Sequence, residues 1–149
     1  MPARMTRKLT ALPDEVFLSH SAKDRRFGER IARVLRDHGI RVWYSGTSVL
    51  GAAQWHDEIG NALRRCDWMV LVLSSNSAKS PWVKRELVYA LGDTRYNTRI
   101  VPVLFQPCNY LDLSWTLGGV QIVDYTKDFH SGCRSLLRVW GLGYQPAQR

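Results

Sequence analysis

Short apolar runs alternate with segments of helical periodicity along the chain. Five runs predict strands, and they are VFLS (16–19), IRVWY (40–44), WMVLVLS (68–74), IVPVLF (100–105) and QIVDY (121–125). Between the runs, apolar residues recur every three or four positions, as they do on a helix that packs against a sheet. Parallel strands need such crossover helices. The pattern predicts an α/β fold, with a flavodoxin-like five-stranded parallel sheet in the order 2-1-3-4-5 and helices on both faces.

The periodic segments fall within one stretch of the 149-residue chain. We expect a single domain over residues 14–143, preceded by a basic N-terminal tail, 1–13, and followed by a C-terminal tail, 144–149. No apolar stretch approaches the roughly 20 residues of a membrane-spanning helix, and the N-terminus lacks the apolar segment of a secretory signal. We therefore expect no membrane partner and a cytoplasmic location.

The net charge of +8 can attract nucleic acid or anionic substrates without specificity. No basic run alternates with aromatic residues, as a nucleic-acid groove requires, so we interpret the charge as a solvated surface and expect no specific nucleic-acid partner. The three cysteines are far apart and the four histidines are scattered, which matches no zinc or disulfide spacing. We expect no metal site.

In a sheet of this order, ligands bind beyond the carboxyl ends of the strands, where the order reverses between the first and third strand. Those ends carry polar residues, namely Ser19, His20 and Ser21 after the first strand and SSN (74–76) after the third. The helix that begins with SPWVKREL (80–87) follows at the same edge. The sequence therefore predicts a ligand site between these segments.

The segment SPWVKREL has the features of a helix start, with Ser80 as the N-cap and Pro81 at the first helical position. Helical spacing puts one stripe of residues against the sheet, namely Val83, Leu87, Ala90 and Leu91. A second stripe, with Trp82 and Glu86, is expected at the border between core and solvent. Either Trp82 covers the sheet edge beside a solvated Glu86, or the pair forms one wall of a site. An aromatic face beside a carboxylate suits a flat, positively charged ring.

Several other nucleotide or catalytic signatures are absent from the sequence. There is no G-x-G-x-x-G after the first strand and no G-x-x-x-x-G-K-[ST]. A phosphoacceptor receiver domain needs carboxylates where this chain has SHS (19–21) and SSN (74–76). A triad of Ser19, His20 and Asp24 is disfavoured, because neighbouring residues on a strand point to opposite faces.

Three segments, DEVFLSHSAKD, RVWYSGTSVLGAAQWHDEIGNAL and WMVLVLSSNSAKSPWVKRELVYAL, resemble a Toll/interleukin receptor (TIR) domain. The resemblance runs from Asp14 to Leu91, with a looser fit to Gly141, and it implies the flavodoxin-like fold predicted above. Some members of the family are adaptors that assemble with other TIR domains. Others cleave NAD+ with a glutamate in a W-x-x-x-E segment of the third helix.

By resemblance, WVKRE is the segment with the catalytic glutamate. This makes Glu86 the catalytic residue, and it gives Trp82 a role in substrate binding by stacking on a ring. The family's pocket is also lined by the loop after the first strand, which matches Ser19, His20 and Ser21.

The segment 45–52 matches a loop that contacts neighbouring subunits in the family, and this implies self-association through it. Ser45 stands where the family often has Asp, and we assign it to substrate binding. Leu50 precedes Gly51 where the family often has proline.

We therefore expect an NAD+ nucleosidase, which is a hydrolase, with NAD+ as the substrate and no cofactor. The sequence leaves open whether the enzyme is also a cyclase. One carboxylate suffices, because nicotinamide in NAD+ is already cationic and its bond to ribose breaks through an oxocarbenium-like centre. Water as the acceptor gives ADP-ribose, and an internal acceptor gives a cyclic ADP-ribose signal. By analogy with the family, the setting is bacterial anti-phage defence, with a separate effector protein as a partner.

Two other functions stay open at this point. One is a non-enzymatic TIR scaffold that acts by homotypic assembly. The other is a nucleoside deoxyribosyltransferase-like enzyme, which shares the general fold and a glutamate. Release of nicotinamide from NAD+, compared with the reaction of a deoxynucleoside, distinguishes the three.

Overall fold

Five parallel strands form one sheet at the centre of the fold. The computed structural model describes residues 11–44 and 52–147, with side chains from residue 56 onward in the second range. The strands are β1 (Val16–Ser19), β2 (Val42–Tyr44), β3 (Trp68–Leu73), β4 (Ile100–Leu104) and β5 (Val123–Asp124). Their order is β2-β1-β3-β4-β5, and every pairing is parallel. The fold class and sheet order predicted from the sequence are confirmed.

Helices cover both faces of the sheet. They are α1 (Arg25–Asp37), α2 (Ala52–Arg65), α3 (Ser75–Ala78), α4 (Pro81–Leu91) and α5 (Phe129–Arg138). Apolar residues of α1 and α5 pack on one face, and those of α2 and α4 pack on the other. Every residue of β3 is buried, which explains its continuous apolar sequence. Among the described helices, none has the length and apolar character needed to cross a membrane.

Local signals fix the ends of the two helices that border the carboxyl edge of β1 and β3. Ser80 accepts a hydrogen bond from the Val83 amide at 3.2 Å, and Pro81 takes the first position of α4, as predicted. Beyond the end of α1, Gly39 has a φ of 84°, a left-handed conformation that glycine adopts without steric cost. It lets the chain turn sharply from α1 towards β2.

Pro102 lies within β4, in register with Leu71 of β3. A proline has no amide hydrogen to donate, so it is expected near an edge of a sheet. β5 pairs only with Val103 and Leu104. The shortness of β5 leaves Pro102 outside this second ladder.

The polar segment SSNSAKS (74–80) is expected from its composition to form a loop, but part of it is helical. Residues 75–78 form α3, because the Ser74 side chain accepts hydrogen bonds from the amides of Asn76 and Ser77. A serine that binds the second and third amides of a helix acts as its N-cap. The short polar segment lacks the apolar periodicity that identified the longer helices, so periodicity alone predicts no helix there.

Candidate functional site

A pocket of about 380 Å³ opens at the carboxyl ends of β1 and β3, the edge at which the sequence predicted a ligand site. Its walls include His20, Ser21, Lys23, Lys79, Trp82 and Glu86. Ser19 is the last residue of β1 and lies buried against Glu86. The structure thus brings together five of the six predicted site residues. Ser45, together with the predicted self-association loop up to residue 51, lies outside the described residues.

Glu86 is only 5% exposed, so the expected position at the border between core and solvent is wrong. Residues three and four positions apart share one face of a helix, and Glu86 shares the buried face of α4 with Val83, Leu87 and Ala90. Leu91, which was assigned to that face, is 45% exposed. The prediction rested on helical spacing, which allows either residue beside Val83, Leu87 and Ala90.

The buried Glu86 carboxylate accepts a hydrogen bond from the Ser19 hydroxyl, with 2.7 Å between Ser19 Oγ and Glu86 Oε1. Burial raises the pKa of Glu86 to about 7, and the Ser19 hydrogen bond acts in the opposite direction. Within the described part of the chain, no cationic side chain forms an ion pair with Glu86. When ionised, this carboxylate is therefore suited to stabilise a positive charge that develops in the pocket.

His20 is held on the wall of the pocket as a neutral imidazole. Its Nδ1 lies 2.8 Å from the Ser21 carbonyl oxygen, and since a carbonyl only accepts, Nδ1 carries the hydrogen. Burial lowers the pKa of His20. Nε2 is then an acceptor, and it has no hydrogen-bond partner among the described residues. The ring packs against Tyr44 and against Gly28, where an added methyl group would lie 3.0 Å from the imidazole.

A second polar cluster beside the pocket was missed by sequence reasoning. Asp24 is buried and accepts hydrogen bonds from Ser74 Oγ, at 2.5 Å, and from Asn76 Nδ2, at 2.8 Å. It ties the segment before α1 to the start of α3 and does not bind the imidazole of His20, so Ser19, His20 and Asp24 do not form a triad. The helix-cap pattern at Ser74 was the available signal, but its partner is 50 residues away in the chain.

Trp82 is half-buried and lines the pocket. Its ring meets His56 edge-on, with 6.2 Å between centroids, and the guanidinium carbon of Arg85 lies 5.2 Å from the ring centroid. An indole face attracts cations through its quadrupole. The ring therefore offers the surface that a flat cationic group would need.

Two lysines make the rim of the pocket electropositive. Lys23 follows β1, Lys79 follows α3, and both side chains are exposed. Neither forms an ion pair with another described residue. A rim of this kind attracts anionic groups such as phosphates. As for metals, the described residues contain no group of three or more His, Cys, Asp or Glu side chains that could hold an ion.

Comparison with known proteins identifies the family. The TIR domain family matches residues 16–137, and the chain belongs to this family. Among solved structures, the TIR domain of the Toll-related receptor TRR-2 from Hydra magnipapillata has the same fold, with a TM-score of 0.67. At 20% identity, the match covers 83% of this chain and 94% of that one.

Two similar proteins are named as enzymes. The probable 2' cyclic ADP-D-ribose synthase TcpO of Methanobrevibacter olleyae is 24% identical over 60% of this chain. The 2' cyclic ADP-D-ribose synthase AbTIR of Acinetobacter baumannii is 28% identical over 49%. The matches cover only 27% and 28% of the lengths of these two relatives.

Proposed function

We propose that this TIR domain cleaves NAD+ between nicotinamide and ribose. The observation that carries the proposal is the buried Glu86 carboxylate, bound by Ser19 and facing a pocket that Trp82 also lines. The pocket combines a carboxylate, an aromatic ring and an electropositive rim. These three features suit the ribose, the cationic nicotinamide and the diphosphate of NAD+.

The reaction needs one ionised carboxylate. The electron pair of the bond between ribose and nicotinamide moves to the nicotinamide nitrogen, so nicotinamide leaves as a neutral molecule. Positive charge then develops at the ribose carbon, as in glycoside cleavage. Ionised Glu86 stabilises this charge or traps the sugar, and Ser19 orients the carboxylate. A cationic nicotinamide ring near Glu86 favours the ionised form and thereby lowers the pKa of the carboxyl in the complex.

The acceptor decides the product. Water yields ADP-ribose and a proton, whereas an internal nucleophile of the substrate yields a cyclic product. Two relatives are named cyclic ADP-ribose synthases, which supports an internal acceptor. A cyclic product would act as a signal for a separate effector protein, in keeping with a role in defence.

The buried carboxylate favours an enzyme over a scaffold that acts only by assembly. Ionised Glu86 lowers the free energy of unfolding, because burial opposes its charge. This loss of stability has no benefit in a scaffold that acts only by assembly, whereas functional sites commonly contain groups with such perturbed pKa values. The experiment is incubation of the protein with NAD+ and, separately, with a 2'-deoxynucleoside. Free nicotinamide without deoxynucleoside turnover supports the proposal; turnover of the deoxynucleoside alone assigns the deoxyribosyltransferase class.

Activity of this site is proposed to depend on self-association through the loop 45–52. The pocket is open at its mouth, and a dinucleotide is long, so a neighbouring subunit would cover the part of the substrate that the pocket leaves in water. The net charge of +8 opposes association at low salt. Specific activity should then rise with protein concentration, and a charge introduced at Val49 or Leu50 should abolish the rise without unfolding the domain. Constant specific activity of a protein that stays monomeric over a dilution series would contradict this dependence.

A further inference from the structure

A second concave surface lies apart from the candidate active site, between α1, α5 and the C-terminal segment 144–147. We name it the arginine groove. Its volume is about 630 Å³, and it shares no lining residue with the pocket around Glu86. The residues that matter here are Arg26, Arg30, Arg33, Phe129, His130 and Tyr144.

One wall of the arginine groove is a row of three arginines on α1. Arg26, Arg30 and Arg33 are spaced by four and three positions, which puts them on one face of the helix. None of them forms an ion pair with a carboxylate of the described residues. Two acidic residues line the groove. Glu29 is paired with Arg25 at 3.0 Å, which leaves the charge of Asp37 to offset those of the three arginines. The groove therefore carries a net positive charge.

The opposite wall is aromatic. The guanidinium carbon of Arg30 lies 3.8 Å from the centre of the Phe129 ring. Tyr144 is fixed by a 2.6 Å hydrogen bond between its hydroxyl and His130 Nδ1, and it stacks on His38 at 5.8 Å. The Gln145 amide donates to His38 Nε2 at 2.9 Å, which holds the C-terminal segment against α1. Both walls are therefore fixed in place by contacts within the chain.

We propose that the arginine groove binds single-stranded nucleic acid through its phosphate backbone and bases, without sequence specificity. Proteins that bind single strands combine a positive groove with aromatic or guanidinium surfaces on which bases stack. The sequence showed no such combination, because the arginines and the aromatic residues lie about 100 positions apart and only the fold brings them together. This binding is independent of NAD+ cleavage.

A second copy of the chain is the rival occupant, and the charge argues against it. A two-fold interface places the same patch of both subunits face to face. Three unpaired arginines on each side would then oppose one another, which like charges disfavour. A nucleic-acid strand instead supplies one negative charge per nucleotide to the same arginines.

The test is fluorescence anisotropy of a labelled oligothymidylate of about 16 nucleotides, the upper end of known site sizes, titrated with the full chain at several salt concentrations. Three arginine–phosphate contacts should give a slope of log K against log salt of about −2. Arg26→Gln with Arg33→Gln leaves the stack of Arg30 on Phe129 intact, so folding is preserved. This double variant should bind at least ~10-fold more weakly at low salt and lose about 1.4 of the slope. Asp37→Asn should bind more tightly than the unmodified protein.

The matched control is Arg64→Gln with Lys84→Gln, which removes the same charge from α2 and α4 on the other face of the sheet. We expect this control to bind within about twofold of the unmodified protein. Equal losses in the two double variants would mean that only net charge matters and would overturn the proposal. So would absence of binding at low salt, or equal affinity for a duplex or for heparin. Light scattering completes the test, because loss of a dimer in the Arg26 and Arg33 variant would assign the groove to self-association instead.

Discussion

Replacing Glu86 by glutamine should stabilise the protein above neutral pH, although it removes the proposed catalytic group. Glutamine keeps the size of the side chain and an oxygen that can accept the Ser19 hydroxyl. The folded carboxyl holds its proton up to about pH 7, whereas 4.5 is the reference pKa for a glutamate in the unfolded chain. Between these values the folded state binds more protons than the unfolded state, so the free energy of unfolding falls as pH rises.

A pKa shift of this size corresponds to roughly 3 kcal/mol. The cost is absent well below the unfolded pKa and is fully present above the folded pKa. Denaturant titrations of the unmodified protein and of Glu86→Gln at about pH 5 and pH 8 measure it. At the higher pH the variant should be more stable by about 2–3 kcal/mol, and at the lower pH by about 1 kcal/mol or less.

The control for this experiment is Glu29→Gln, which neutralises an exposed carboxylate paired with Arg25 on α1. It should change stability by less than about 1 kcal/mol at either pH, because exposed ion pairs contribute little. If Glu86→Gln were less stable than the unmodified protein at the higher pH, or if its effect did not depend on pH, the account of Glu86 as a buried, unpaired carboxylate would be refuted.

Three further changes test particular contacts. Ser19→Ala removes the hydrogen bond that favours ionised Glu86, so the midpoint of a pH–activity profile should move upward; an unchanged midpoint would exclude Ser19 as a positioning residue. Gly132→Ala places a methyl group against the ring of buried Tyr125. It should lower the free energy of unfolding by about 1–3 kcal/mol, measured by thermal or denaturant unfolding. An unchanged melting temperature would show that the ring has room to move. Thr98 has a φ of 63°, a region that asparagine tolerates better than a β-branched residue. Thr98→Asn should therefore raise the free energy of unfolding by about 0.5–1 kcal/mol. A decrease would contradict the backbone strain inferred at Thr98.

The sheet and the edge that carries the site were predictable because they follow from local and topological rules. Apolar runs marked all five strands, and the reversal of strand order placed the site between β1 and β3. The start of α4 was equally predictable, since a serine cap and a following proline act within a few residues of the chain. These signals do not depend on the packing of distant side chains.

The burial of Glu86 could not be read from the sequence, because it depends on how far α4 is rotated against the sheet. Spacing alone allowed either Leu91 or Glu86 on the inner face, and transfer energies favour the leucine. The link from Asp24 to Ser74 and Asn76 joins segments about 50 positions apart. Such contacts appear only once the strands are aligned.

The most direct measurement of the central claim is the rate of nicotinamide release from NAD+, as kcat/KM, for the unmodified protein and Glu86→Gln between about pH 5 and pH 9. It is made at the highest protein concentration that stays soluble, so that assembly is favoured. If ionised Glu86 carries the chemistry, kcat/KM of the unmodified protein rises with pH and levels off above about 7, and Glu86→Gln is at least ~10²-fold slower on the plateau, without such a rise. Equal rates and the same pH dependence in the two proteins would contradict the claim.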